Sequence, residues 1–414
     1  MQLQTILNRI EKHAGFVYES VRWDGDGSLA VKIRARRGSR PRCSGCGARR
    51  SGYDRRPERA FAYVPLWGIA VTFLYAPRRV HCPLCGVLVE EMPWATGKRQ
   101  VTNSFSWFLA RWGRRLSWKE VAEVFRTSWE NVFRSVELAV TWGLAHRRLD
   151  GVEAIGIDEL QWQHGQSYVT VVYQLDQGCR RLLWIGRERK AVTLDAFFTW
   201  LGDVRSRALR FVCSDMWSPY LKVVAARAPA ALHILDRFHI VSNINEGVDK
   251  VRRGEANELR KSGEAPLLKG NRWLLLKRWD NLKLGQATRL AELLRANLRT
   301  VRAYLLKEEL DFLWGYRSAW WAGKFLDSWL DRVMRSRLGP LKTKARSMRK
   351  HRHLILNWFR AAGTISNGIV EGFNNKARVT TRRAYGFRTY RAHEVALYHA
   401  LGRLPEPEST HRFC

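Results

Sequence analysis

The chain has 414 residues, with 72 Lys and Arg against 38 Asp and Glu, and a formal net charge of +34. A cationic excess this large self-repels unless a polyanion neutralises it, while 46% hydrophobic residues and 19 Trp exclude a disordered basic tract. No apolar run reaches the ~18 residues of a membrane-spanning helix, so the totals point to a folded protein of several domains that meets long stretches of nucleic acid and has no membrane partner.

Residues 1–40 read as a lead-in. They lack the long apolar core and small-residue cleavage site of a secretory leader, and the cysteine count of seven is odd, so a reducing cytoplasm is expected. "CSGCG" at 43–47 and "CPLCG" at 82–86 follow. Two such knuckles supply four thiolates, which suits tetrahedral zinc. Cys43, Cys46, Cys82 and Cys85 are therefore the expected ligands of a structural zinc ion. Glycine after each second Cys lets the backbone turn its N–H groups toward sulfur. The apolar stretch between the knuckles reads as strands joined by turns, and 41–97 as a zinc ribbon.

Residues 98–150 carry "LSWKEVAEVFRTSWENVFRSVELAV". Ser117 with Glu120 makes one capping box and Thr127 with Glu130 a second. Val121, Val124 and Phe125 form one apolar stripe, and Val132, Val136 and Val140 another. Two short helices joined near Arg126 and Thr127 match a helix-turn-helix. Its second helix would turn Trp129, Asn131, Arg134 and Ser135 outward to DNA.

From 151 the pattern changes to β-β-β-α-β-α-β. "VEAIGIDE", "LRFVCSDMW" and "ALHILDRFH" are three apolar strands, each ending in an acid: Asp158, Asp215 and Asp236. Ligands of open α/β sheets bind at the carboxyl ends of strands. Converging carboxylates repel one another unless a cation sits between them, and Mg²⁺ is the natural guest. Strand ends alone do not rank Asp215 above Asp236. Residues 237–362 are basic and helix-periodic, an all-α insertion whose Trp pairs could stack on unpaired bases.

Glu371 is the one acid from Arg332 to Arg391. It lies in a helix expected from near Ser366, whose apolar face is Ile369, Val370, Phe373 and Ala377. Glu371, Asn374, Asn375 and Arg378 recur at helical spacing on the other side. Gly372 would allow close approach of this helix to the sheet or to nucleic acid. A carboxylate on such a helix could complete a metal cage, while Asn374, Asn375, Lys376, Arg378, Arg382 and Arg383 are candidate DNA contacts.

The motifs "GIDE", "VCSDMWSPY", "LDRFHI", "LLRANLRTVRAYLLKEEL" and "TISNGIVEGFNNKARVTTRRAYGFRTY" resemble those of the ISL3 family of insertion-sequence transposases. The resemblance runs from about residue 40 to 400. It implies a multidomain α/β protein whose RNase H-like catalytic domain, a mixed sheet with flanking helices over 151–236 and 363–400, is interrupted by the helical insertion. It also implies a DDE mechanism in which Asp158, Asp215 and Glu371 hold two Mg²⁺ or Mn²⁺ ions for phosphodiester hydrolysis and strand transfer. Asp236 and His239 would take supporting roles at the rim, and Glu159 a structural one. The implied partner is double-stranded DNA, both the element's terminal inverted repeats and the target. A homodimer or larger assembly is expected in the synaptic complex, in a bacterial cytoplasm near the nucleoid. Residues 401–414 form a tail. The rival readings are a non-enzymatic DNA-binding regulator, which leaves Glu371 unexplained, and an RNase H-like nuclease or resolvase, which needs no sequence-specific front end.

Overall fold

The computed structural model describes residues 3–163, 165, 167–263, 268–296, 298–361 and 368–408. The chain divides into two compact units, Met1–Arg148 with Ala377–Cys414, and Leu149–Lys376.

The first unit opens with helix α1 (Leu3–Ile10) and strands β1 (Phe16–Trp23) and β2 (Leu29–Ala35). Strands β3 (Ser51–Arg55), β4 (Arg59–Leu66), β5 (Ile69–Tyr75), β6 (Arg78–Cys82) and β7 (Gly86–Val89) follow. They form two sheets, β1-β2-β5-β4 and β3-β6-β7. The apolar stretch between the knuckles thus does not pair with the cysteine-bearing strands. Most of it, as β4 and β5, joins the first forty residues, with Phe61, Phe73, Tyr75 and Trp94 buried in the core between.

Helices α2 (Asn103–Trp112), α3 (Trp118–Val124) and α4 (Trp129–His146) come next. The Ser117–Glu120 capping box forms as expected. The second box does not: Ser128 caps α4 by accepting from Asn131 N, and Thr127 Oγ1 accepts instead from the Asn131 amide at 3.2 Å. Arg126, at φ 48°, makes the tight turn. Val121, Val132, Val136 and Val140 are buried, but Val124, the last residue of α3, is exposed.

The second unit centres on a five-stranded sheet. Its strands are β8 (Ala154–Gln161), β9 (Tyr168–Gln174), β10 (Arg181–Arg187), β11 (Phe211–Ser214) and β12 (Leu232–Leu235). The order is β10-β9-β8-β11-β12, with the first three antiparallel and the last three parallel. Helices α5 (Ala191–Leu201), α6 (Asp203–Ala208) and α7 (Ser218–Arg227) connect them. Phe197, Phe198, Tyr220 and Val224 from this layer pack on Ile155, Ile157, Val172 and Leu183 of the sheet.

The helical segment comprises α8 (Arg237–Lys261), α9 (Arg272–Leu276), α10 (Leu284–Arg295), α11 (Arg299–Asp311), α12 (Ala319–Arg335), α13 (Gly339–Lys350) and α14 (Arg352–Arg360). Its core buries Trp314, Trp329 and Leu330 against Ile240, Ile244 and Leu235. The Asn357 amide donates to the His233 carbonyl at 2.7 Å and ties α14 to β12. Trp320 and Trp321, in contrast, are exposed, with Lys324 Nζ 3.8 Å from the Trp320 ring centre. Helix α15 (Gly368–Arg383) then runs from this unit back into the first, which ends with α16 (Tyr390–Leu401). The expected helix start near Ser366 lies outside the described residues.

The candidate acidic site and the cysteine cluster

Strand alternation sets the acidic site. Side chains along β8 point to opposite faces in turn. Ile155 and Ile157 enter the α5–α7 core, which leaves Gly156 and Asp158 on the other face. That face carries α15. Tyr173, opposite Gly156 on β9, stacks on Phe373 with ring centres 4.8 Å apart.

A Cβ added to Gly156 would lie 2.5 Å from Val370 Cγ2, so glycine is what admits the helix. Gly372, to which the sequence assigns this close approach, is exposed, and a Cβ added there would meet nothing within 4 Å. The glycine that matters is the one in the sheet.

Asp158 is not at the end of its strand. β8 continues to Gln161 through its pairing with β9. It is the parallel pairing that stops early: Cys213 of β11 sits opposite Gly156. Continuing that register by two residues brings Asp158 level with Asp215. Ser214 sits opposite Leu235, so the next residues, Asp215 and Asp236, are neighbours as well. Three acids thus line one end of three adjacent strands.

Each acid has defined partners. Asp158 accepts from Glu159 N at 2.8 Å and from the Asn374 amide at 2.6 Å. Burial raises its pKa, opposed by the Glu159 N–H, by His239 and by Asn374, while Asp236 adds to the rise. Asp215 accepts from Trp217 N at 3.1 Å and from Arg189 at 3.0 Å. Arg189 also lies 2.8 Å from Glu159, without the alignment of a hydrogen bond, and rests over the Trp217 ring at 4.6 Å. Burial, with Asp215 nearby, pushes Glu159 up to about 7. Asp236 caps α8 through Phe238 N at 2.7 Å and holds His239 Nδ1 at 2.8 Å. That bond raises His239 to about 9 against the effect of its burial.

Four carboxylates therefore share this end of the sheet with one guanidinium and one imidazole. Such a surplus of buried negative charge with oxygen-only donors fits a hard divalent cation.

Glu371 is exposed, in the first turn of α15. Asn374, three residues on, is buried, donates to Asp158, and accepts from the Tyr173 hydroxyl at 2.9 Å. The sequence turns Asn374 outward beside Glu371; the structure turns it into the sheet, because α15 packs so closely over Gly156 and Tyr173. Residues three apart are neighbours along a helix, so exposed Glu371 lies one turn from the residue that bonds Asp158.

Asn375, Lys376, Arg378 and Arg382 are exposed. Arg383 donates to the carbonyls of Arg114 and Arg115 at 3.1 and 3.0 Å. In α4, Trp129 is half exposed and stacks on Phe133, and Arg134 pairs with Glu130 at 2.5 Å. Ser135, expected outward, is buried and donates to the Asn131 carbonyl, since it falls on the same face as Val132 and Val136.

The four knuckle cysteines converge. Their sulfur atoms all lie within 4.8 Å of one another, with Cys46 Sγ 3.7 Å from Cys82 Sγ. Tetrahedral Zn–S bonds of about 2.3 Å require S···S separations of about 3.8 Å. All four are free thiols rather than disulfides. Gly47 and Gly86 adopt φ 70° and 75°, the left-handed turns anticipated after each second Cys. Burial alone would raise the Cys82 thiol, but the N–H groups of Leu84 and Cys85 and the Arg50 guanidinium bring it down to about 6.

A mixed α/β protein with a four-thiolate cluster and a carboxylate-rich sheet end is the class defined so far. The comparisons with known proteins narrow it. The ISL3 DDE model, described as a transposase, matches residues 155–397. The chain is 31% identical over 378 residues to the transposase for insertion sequence element IS1001 of Bordetella parapertussis, covering 90% of this chain and 92% of that one. It is 32% identical over 400 residues to the transposase for insertion sequence element IS1557 of Mycobacterium tuberculosis, covering 89% and 87%. The chain belongs to the ISL3 family of insertion-sequence transposases.

Proposed function

We propose that the protein binds the terminal inverted repeats of its insertion sequence and catalyses metal-dependent strand cleavage and strand transfer, with Asp158, Asp215 and Glu371 as the metal-holding acids. The observation that carries this is the Asn374–Asp158 bond. It links the helix bearing Glu371 to the strand bearing Asp158, whose register brings Asp215 alongside.

Two Mg²⁺ or Mn²⁺ ions, when bound, would acidify a water and stabilise a leaving 3′ oxygen. The chain's own residues prepare the site. Asn374 orients Asp158, and Arg189 holds Asp215 against Trp217. Asp236 has both oxygens engaged at the start of α8, so it and His239 support the site from its rim. The mixed sheet flanked by helices is consistent with an RNase H-like catalytic domain over 151–236 and 363–400, interrupted by the insertion over 237–362.

The sulfur separations support a structural zinc ion on Cys43, Cys46, Cys82 and Cys85 within the 41–97 segment. Residues 98–150, with Trp129, Asn131 and Arg134, would supply sequence recognition. Arg382 and Arg383, with Asn375, Lys376 and Arg378, would meet phosphates. Synapsis of two ends calls for a homodimer at least, and a DNA substrate calls for the bacterial cytoplasm near the nucleoid. No described helix is long and apolar enough to cross a membrane.

The test is strand cleavage of a supercoiled plasmid carrying the element's ends, in Mg²⁺, Mn²⁺ and EDTA. Cuts that map to the ends in either metal and vanish in EDTA support the reading. Metal-independent cuts, or end binding with no cuts at all, would contradict it.

A further inference from the structure

The sequence "RRAYGFR", eleven residues after Glu371, contains a turn that the activity above leaves unexplained. Helix α15 stops at Arg383. Tyr385 follows at φ 52° and Gly386 at 90°, and their N–H groups close the helix end on the carbonyls of Arg382 and Thr381, at 2.9 Å each. Left-handed backbone is the natural place for glycine and a strained one for a bulky aromatic. Here the tyrosine occupies it and is 100% exposed, with no packing to offset the strain. Phe387 turns back at once and packs on Trp118 and His393, with ring centres 5.7 and 5.6 Å away. The turn thus holds one aromatic in and its neighbour out.

Tyr385 stands on the rim of a cavity of about 1130 Å³ within the first unit. Its lining includes Trp118, Trp129, Phe387, Arg382 and Arg388. The acids on the opposite wall are already committed: Glu120 to the Ser117 capping box and Glu123 to Lys119 at 3.8 Å. Among the described residues neither Arg382 nor Arg388 has an ion-pair partner. An aromatic-lined cavity with uncommitted cations at its mouth suits a flat π-system attached to a phosphate. Aromatic faces stack on any base, and displaced bases are received in such pockets.

We infer that Tyr385 is a wedge that unstacks a base pair of the bound DNA and that the cavity beside it receives the displaced nucleotide, with Arg382 and Arg388 on its phosphates. The inference rests on the transposase reading, since it needs end DNA on the first unit.

Permanganate reactivity of thymines tests it, mapped along duplex DNA from the element's own end, with footprinting of the same complexes. The wild type is expected to protect the end and leave one or two thymines at least about fivefold more reactive than in free DNA. Tyr385→Phe should keep that signal. Tyr385→Ala should lose it while protecting the end and melting no lower than the wild type, because an exposed side chain on strained backbone contributes nothing to the fold. Protection with no reactive thymine in the wild type, or reactivity retained in Tyr385→Ala, overturns the wedge and leaves the transposase reading intact. A wild type that fails to protect the end overturns both.

Discussion

The cysteine cluster and the carboxylate-rich sheet end are assembled in opposite ways. The cluster draws on one turn before β3 and on the β6–β7 turn, and its four sulfur atoms converge within 4.8 Å. Among the described residues no set of acids converges as closely. The strand-end carboxylates come from β8 and from the turns after β11 and β12, while Glu371 on α15 stands exposed. Arg189 and Asn374 occupy Asp215 and Asp158. The first arrangement is closed and the second open; on the proposed reading they would suit a structural ion and ions that share their shell with a phosphodiester, respectively.

The contrast breaks most visibly at the cysteines. Zinc bound to small thiolate modules contributes about 10–16 kcal/mol of apparent binding energy. Cys82→Ser, or chelation, is expected to abolish zinc content and unfold the β3-β6-β7 sheet. Hydrogen exchange should show lost protection over 41–55 and 78–89 and unchanged protection over 59–75, which pair in the other sheet, and over 151–236. A uniform loss of protection would mean that the cluster is no local device.

At the sheet, Gly156→Ala should drive α15 away, since its Cβ would meet Val370 Cγ2 at 2.5 Å. Overpacking of this kind costs about 1–3 kcal/mol, and cleavage should fall with it. Gly372→Ala, where nothing crowds the added methyl, should instead stabilise the helix by about 0.5–1 kcal/mol. Paired denaturant titrations separate the two. Asn374→Ala leaves the Tyr173 hydroxyl and Asp158 without a shared partner, at a cost of about 1–3 kcal/mol. Its cleavage should respond as Gly156→Ala does.

The smallest effect is on pH dependence. Glu159 is raised from 4.5 to about 7, so the folded state holds its proton after the unfolded state has lost it. The metal-free site should therefore lose stability as pH rises from about 4.5 to 7, by on the order of 1–3 kcal/mol, and Glu159→Gln should remove that slope. Buried His393 and His399 of the first unit are depressed to about 4 and 3. Their contribution runs the other way, present above the ordinary histidine pKa of 6.5 and lost as pH falls through the window below it. Thermal melts across pH, wild type against Glu159→Gln, resolve the two slopes.

What is legible in the sequence follows the same division. Cysteine spacing is local, so the convergence of the four cysteines can be read directly. Apolar strands lead to Asp158, Asp215 and Asp236, although β8 runs on past Asp158 to Gln161, and charge isolation is what singles out Glu371. Helical periodicity misplaces Asn374, because it cannot say which side of an exposed helix meets a sheet far away in sequence. Gly156 does carry a signal, since glycine inside an apolar strand often marks close backbone approach. Arg189 carries none, lying in a basic run like many others. Residues 1–40, read only as a lead-in, hold β1 and β2, and nothing local reveals that they pair with strands beyond the first knuckle.

Whether Asp158, Asp215 and Glu371 form one metal centre is tested most directly by locating bound Mn²⁺ through anomalous diffraction from protein crystals. The expected result is Mn²⁺ held by all three residues, with Arg189 displaced from Asp215 and the site lost in Glu371→Gln. Mn²⁺ held by Asp158, Glu159 and Asp236, with Glu371 still facing solvent, would contradict it.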